Sequence, residues 1–185
     1  EVASYFTMPV FDPVMLPLLP VERLPSDLPA AVGSDAEAIA EGIALHLLLE
    51  RLTHGRTWPI VVPEAAVLVR WLPCPLALAG VIRAQAQVIL TQVRLERFFN
   101  PAQYVFARNE MEAIVDGQLL RFDRVVGFRD EVWILDYKRN LLESQLAEYR
   151  EQLRRYREAS KLLFGGKTIK TALITVDGRF WPMDE

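Results

Sequence analysis

A single cysteine, Cys74, stands in a chain of 185 residues. No internal disulfide framework can form from it, and no cysteine cluster for zinc or an iron–sulfur centre. A reducing, cytoplasmic setting is the expectation that goes with such scarcity. An excess of charge is missing too: 21 basic residues stand against 24 acidic ones, for a net charge of -3. There is thus no global electrostatic case for a polyanionic partner, although a local basic face stays open. Long apolar runs are absent, since proline or charge breaks each of them, so nothing has the length of a membrane span and no membrane partner is expected. No Gly-x-x-x-x-Gly-Lys-Ser/Thr occurs, which leaves no phosphate loop for ATP in this chain. The opening "EVASYF" carries neither an initiator Met nor a signal-peptide pattern, and the chain is expected to be a piece of a longer protein.

What is present is a large apolar fraction, 51% of residues, enough for a sizeable core in one domain, or one domain with an arm. Pro9, Pro13, Pro17, Pro20, Pro25 and Pro29 crowd residues 1–33 and exclude a regular helix there. The leucines and valines between them predict an extended arm or linker from an upstream module, followed by a domain over 34–185. Ser34-Asp35 is a helix N-cap signal. The run "AEAIAEGIALHLLLERL" has helical spacing, which brings Ile39, Ile43, His46, Leu47 and Leu49 near one another. "PEAAVLVRWL" predicts a short second helix with Pro63 at its first position. "LALAGVIRAQAQVILTQVRLERFF" predicts one long third helix ending before Asn100-Pro101.

The pattern then changes to strands. "NEMEAIV" and "LLRFDRVVGF" flank Asp116-Gly117, a strong hairpin signal. "EVWILDY" predicts a third strand and "LESQLAEYREQLRRYREASKLLF" a long amphipathic helix stopped at Gly165-Gly166. "TIKTALITV" predicts a fourth strand, turned at Asp177-Gly178 into a short tail. The order is helices, then β-β-β-α-β.

Chemistry gathers in the strands. Residues two apart on a strand share a face, so Asp136 and Lys138 point the same way while Tyr137 offers its carbonyl toward them. Asp123 interrupts an apolar stretch between Arg121 and Arg124 and has either as a possible partner. Glu110 and Glu112 lie on the preceding strand, and a hairpin turning at 116–117 sets them broadly opposite 121–123; face parity does not choose between them. Strand pairing therefore collects Glu110, Asp123, Asp136 and Lys138 at one sheet end. Clustered carboxylates repel one another in a low dielectric, and a divalent cation relieves that penalty. Oxygen donors suit Mg²⁺ or Mn²⁺. Such a cation lowers the pKa of water that it holds, and a neighbouring lysine stabilises charge on a phosphate oxygen. The grouping suits hydrolysis of a phosphodiester, although an Asp and a Lys at a strand end are often no more than a solvated pair.

His46 lies one helical turn after Gly42, which leaves space beside the imidazole for a ligand; a lone histidine among leucines is more often a core residue. On the last helix Tyr149, Gln152 and Tyr156 form one stripe. The same helix holds Arg150, Arg154, Arg155, Arg157 and Lys161, which either follow a phosphate backbone or pair with the glutamates among them.

These pieces, "GIALH", "NEMEAIVDGQLLRFDRVV", "VWILDYKRN" and "YREQLRRY", resemble in order the RecB-type nuclease domain of the PD-(D/E)XK superfamily, as appended to UvrD-like helicases such as the exonuclease V beta subunit and AddA. The resemblance spans roughly residues 35–175. It implies a restriction-endonuclease-like α/β fold: an αβββαβ core with a mixed central sheet and additional N-terminal helices. It implies His46, Glu110, Asp123, Asp136 and the Tyr137 carbonyl as ligands of Mg²⁺ or Mn²⁺, Lys138 as the catalytic lysine, and Gln152 with Tyr156 as an accessory motif. Phe122 precedes Asp123 where the superfamily name has proline. Relatives with an iron–sulfur cluster need four cysteines, so this chain resembles the cluster-free branch. The expected function is that of a metal-dependent DNA exonuclease domain in repair or recombination. Its expected partners are DNA, an upstream helicase domain of the same parent chain and further helicase-nuclease subunits. The alternative is a non-catalytic module of the same fold that binds DNA or packs on a helicase.

Overall fold

The computed structural model describes residues 34–115 and 117–183; the proline-rich segment 1–33 lies outside the described residues. Four helices come first: α1 (Ser34–Thr53), α2 (Ala65–Leu68), α3 (Leu76–Thr91) and α4 (Glu96–Phe99). Strands β1 (Phe106–Val115), β2 (Gln118–Gly127) and β3 (Glu131–Lys138) follow, then helix α5 (Leu146–Leu163), then β4 (Thr168–Thr175) and β5 (Phe180–Pro182). The five strands form one sheet in the order β1-β2-β3-β4-β5. Its pairs are antiparallel except β3 with β4, which are parallel and joined through α5. The protein is therefore an α/β fold with N-terminal helices and a βββαβ mixed sheet, as the residue patterns predict, with β5 added as a fifth strand.

The sheet is buried on both faces. Val126, Trp133, Leu135, Tyr137, Ala172 and Ile174 pack with α1, α3 and α4. Phe122, Val125, Val132, Ile134 and Leu173 pack with Leu153, Tyr156 and Ala159 of α5. This explains the near-continuous apolar run of β3, whose middle six residues are all buried, because a central strand covered on both sides has no polar alternation to show.

The structure shows which face of the first helix is buried and corrects two expectations about the others. The core-facing residues of α1 are Ala44, Leu45, Leu48 and Leu49, whereas Ile39, Ile43 and Leu47 are exposed. Apolar residues run round this helix, so spacing alone does not choose the buried stripe. Helix α2 starts at Ala65: Glu64 is extended and its carbonyl takes the first helical bonds from Val67 and Leu68, which puts Pro63 before the cap. The third helix is not continuous. Gln92 is extended, a 3₁₀ turn covers Val93–Leu95, and the chain bends by 70°. The bend carries Leu95, Phe98 and Phe99 into the core. No single helix among the described residues is long and apolar enough to cross a membrane; α3 and the segment after it reach that length only as this bent pair.

Candidate metal centre

The hairpin register brings the acids together. The β1–β2 ladder pairs Asn109 with Arg124 and Met111 with Phe122, which sets Glu110 across from Asp123. The β2–β3 ladder ends at Arg124 with Leu135, and one further step sets Asp123 across from Asp136. Three carboxylates thus occupy one row across three neighbouring strands. Neither Glu110–Asp123 nor Asp123–Asp136 is itself a ladder pair.

The ladder lapses there because the sheet is creased. Glu110 has φ 46°, in the left-handed region that a non-glycine residue seldom enters. Asn109 donates to the Glu50 carbonyl and to Thr53 Oγ1, so it faces α1. Met111 packs with the α5 cluster instead. In an uninterrupted strand 109 and 111 share a face; the left-handed residue between them reverses that. Strand β2 makes the same reversal. The Phe122 ring meets Tyr156 of α5 edge-on at 4.9 Å, whereas Arg124 turns to the opposite side and donates to the Phe98 carbonyl. Backbone strain of this kind is concentrated at functional sites.

Helix α1 is anchored over the crease at both ends. Near its start Glu41 accepts from Gln85 Nε2 at 2.5 Å and pairs with Arg139 at 3.3 Å. At its end Thr53 Oγ1 accepts from Asn109 and from Arg124. His46 lies between these anchors, with Nδ1 3.6 Å from Asp123 Oδ1 and Nε2 3.3 Å from the Tyr137 carbonyl. A proton on Nε2 serves the carbonyl and leaves the Nδ1 lone pair toward Asp123. Asp123 Oδ2 accepts the Tyr137 N–H at 2.8 Å. The ligand atoms of His46, Glu110 and Asp123 all lie within 4.8 Å of one another. Donors on opposite sides of a Mg²⁺ ion at 2.0–2.1 Å stand about 4 Å apart, so this triad is close to the size that a small divalent ion needs.

Charge in the site is arranged accordingly. Burial pushes the Asp123 carboxyl up and the Asp136 charge adds to it, to about 8. Burial also pulls the His46 imidazole down, against the pull of Asp136, so the ring is neutral at pH 7 and able to ligate. Lys138 Nζ lies 2.7 Å from Asp136 Oδ2 and 5.1 Å over the Tyr149 ring. Burial pulls the Lys138 ammonium down, but Asp136 outweighs it and the net shift is upward. Lys138 is therefore a fixed cation, not a base.

An open cleft of about 620 Å³ reaches two acids of this row and is lined by His46, Asp123, Asp136 and Lys138 together with Gln152 and Tyr156 from α5. Gln152 donates to the Tyr156 hydroxyl at 3.0 Å. A second hollow, of about 570 Å³, continues on the α1 side past Gly42, Ile43 and Glu110, and shares His46, Arg121 and Lys138 with the first.

No protein-family model matches the chain, and no curated protein matches it. What the site does has to come from its own residues.

The structure brings His46, Glu110 and Asp123 into one ligand group, with Asp136 in the same cleft but held by Lys138. Tyr137 buries its ring on the helical face and presents its carbonyl to His46. Glu110, not Glu112, belongs to the group. Asp123 pairs with neither flanking arginine: Arg121 Nε is 3.1 Å from Glu110 Oε2, and Arg124 is fully buried against Phe98, Thr53 and Asn109. Two features have no counterpart in the sequence reading, the Tyr149 ring beneath Lys138 and the Arg121–Glu110 pair. The stripe spacing of Tyr149 with Gln152 and Tyr156 is the signal for the first. The donor set, one imidazole and two carboxylates, is suited to a metal ion.

Proposed function

We propose that the domain is a divalent-metal-dependent deoxyribonuclease of the RecB type, in the PD-(D/E)XK superfamily, and that it works as the nuclease part of a helicase-nuclease. One observation carries the reading: the creased row Glu110–Asp123–Asp136, with His46 and Lys138 beside it, lining an open cleft through Asp123 and Asp136 and the adjoining hollow through Glu110. A row of acids that repel one another, bought at the cost of a strained glutamate, has no structural benefit in a sheet that is otherwise well packed.

His46, Glu110 and Asp123 hold Mg²⁺ or Mn²⁺, and Asp136 and the Tyr137 carbonyl adjoin them. When bound, such a cation supplies charge neutralisation at a phosphate and acidifies water. The neutral imidazole offers Nδ1 because Nε2 is occupied by the Tyr137 carbonyl. Asp123 is fixed by the Tyr137 N–H, which keeps its other oxygen toward His46. Lys138 orients the attacking water and offsets negative charge developing on the phosphate oxygens. Asp136 keeps the ammonium charged, and the Tyr149 ring limits where it swings. Gln152, tethered by Tyr156, lines the same cleft and positions the substrate. DNA is the substrate, and ATP-driven feeding of the strand belongs to another part of the parent protein.

The test is cleavage of single- and double-stranded DNA with Mg²⁺ or Mn²⁺ by the protein and by Asp136→Ala and Lys138→Ala. Loss of cleavage in both variants is expected. Cleavage that persists unchanged in both refutes the assignment. DNA binding without cleavage, and without any divalent-ion binding, favours the non-catalytic module.

A further inference from the structure

We infer that Arg121 and Arg155 form a two-sided grip on the phosphates of a nucleic-acid strand lying in the cleft, a role that rests on the nuclease reading above. The sequence offers a crowd of basic residues on α5 without saying which of them matter. The structure sorts them. Arg154 is committed to Glu151, at 2.9 and 2.7 Å, and Lys161 to Glu158 at 2.8 Å. Arg155 alone of the five lines the cleft, and it is exposed and has no hydrogen bond or ion pair among the described residues. Across the cleft Arg121 projects from β2 with its side chain 62% exposed. Its Nε holds Glu110, which leaves both terminal nitrogens without a partner among the described residues. A guanidinium with free terminal nitrogens is a bidentate phosphate donor. Leu119 and Leu120, beside Arg121, give the same wall an apolar surface for sugars and bases.

Charge adds a condition. Glu110, Asp123 and Asp136 stand among Arg121, Lys138 and Arg155 and weaken their pull on a polyanion. A bound divalent cation adds positive charge among these acids. Grip and metal are therefore coupled: the arginines attract the strand more strongly once the acids hold a cation.

The experiment measures anisotropy of a short fluorescent oligothymidylate and of a short duplex, in Ca²⁺ and in EDTA, over a range of salt. Calcium accepts the same oxygen donors. Arg121→Gln, Arg155→Gln and the double variant are compared with Arg150→Gln, which is on α5 outside the cleft. For the single strand, each cleft variant is expected to weaken binding severalfold and to flatten the log–log salt slope by about 0.7, the double by about 1.4. Arg150→Gln is expected to change neither, and binding is expected to be stronger in Ca²⁺ than in EDTA. Calorimetric Mn²⁺ affinity should be unaltered in Arg155→Gln, which separates lost phosphate contact from lost metal. A wild-type slope in both cleft variants, or an equal loss in Arg150→Gln, overturns the grip while leaving the nuclease reading intact. A wild-type protein that binds neither oligonucleotide in Ca²⁺ overturns both.

Discussion

The backbone N–H of Tyr137 donates to Asp123 Oδ2 at 2.8 Å. A side chain thereby takes the place of the next rung between β2 and β3, where the ladder stops at Arg124 and Leu135. The bond holds a buried carboxylate across from Asp136, although the repulsion between them raises the cost of folding. An amide accepts the same N–H without the charge. Asp123→Asn is therefore expected to stabilise the metal-free protein at pH 8 by about 0.5–2 kcal/mol, the usual gain when functional strain is relieved. It should also abolish any rise in melting temperature on adding Mn²⁺. Parallel melts with and without the ion check both halves. A variant that is less stable than wild type and still responds to Mn²⁺ would show that Asp123 is structural.

The same carboxyl sets a pH dependence. Its folded pKa of about 8 lies above the ordinary aspartate value of about 3.9. Between those values the folded protein holds a proton that the unfolded chain has released, so ν_U is less than ν_N and stability falls as pH rises. The contribution is fully lost above pH 8 and is constant below pH 4. Urea melts of the metal-free protein should show this decline, and saturating Mg²⁺ should flatten it because the cation replaces the proton. At pH 7 metal binding should release close to one proton. Calorimetry in buffers of different ionisation enthalpy counts that proton, and Asp123→Asn should remove it.

Lys138 separates chemistry from binding. Its ammonium is held by Asp136 and lies over Tyr149, and neither contact makes it a ligand. Lys138→Met keeps most of the length of the side chain and loses the charge. Cleavage is expected to fall about 10²–10³-fold, the usual cost of losing one focused electrostatic group. The Mn²⁺-induced shift in melting temperature should remain. Single-turnover rates beside melting curves make the comparison; a rate within a factor of two or three of wild type sinks the role of Lys138.

Much of this was legible because some signals in the sequence are strong and local. Asp116-Gly117 fixes the hairpin, and the hairpin fixes the register that sets Glu110 opposite Asp123. The unbroken apolar run of β3 marks a central strand, and Asp136 and Lys138 stay on one face because the strand persists to 138. Other features depend on tertiary context. Parity does not choose between Glu110 and Glu112, because parity itself is broken at Glu110, and nothing in the propensity of glutamate announces a left-handed backbone. The same crease sends Arg121 and Arg124 to different partners, although both flank Asp123. The bend at Gln92 has no glycine or proline to signal it; packing of Phe98 and Phe99 drives it. β5 is three residues with a proline, too short for a pattern to show and admissible only at a sheet edge.

The fold and the site should also come apart experimentally, and Gly127 is the place to pry. It ends β2 opposite Phe106. A Cβ built on Gly127 would lie 2.0 Å from the Phe106 ring, and that ring is itself stacked on Phe164 at 5.8 Å, so it has little freedom to withdraw. Gly127→Ala is expected to cost about 1–3 kcal/mol, the range for overpacking a filled core. Phe106→Leu should restore part of the loss in the double variant, since it removes the ring that the methyl strikes, and the two substitutions should be strongly non-additive. Three residues of β1 separate Phe106 from Glu110, and the crease lies between Gly127 and the hairpin tip. The Mn²⁺ affinity of the folded Gly127→Ala protein should therefore match that of wild type. A large drop in affinity would mean that the hairpin transmits strain along its length and that the left-handed Glu110 is held in place by packing at the far end of the strand.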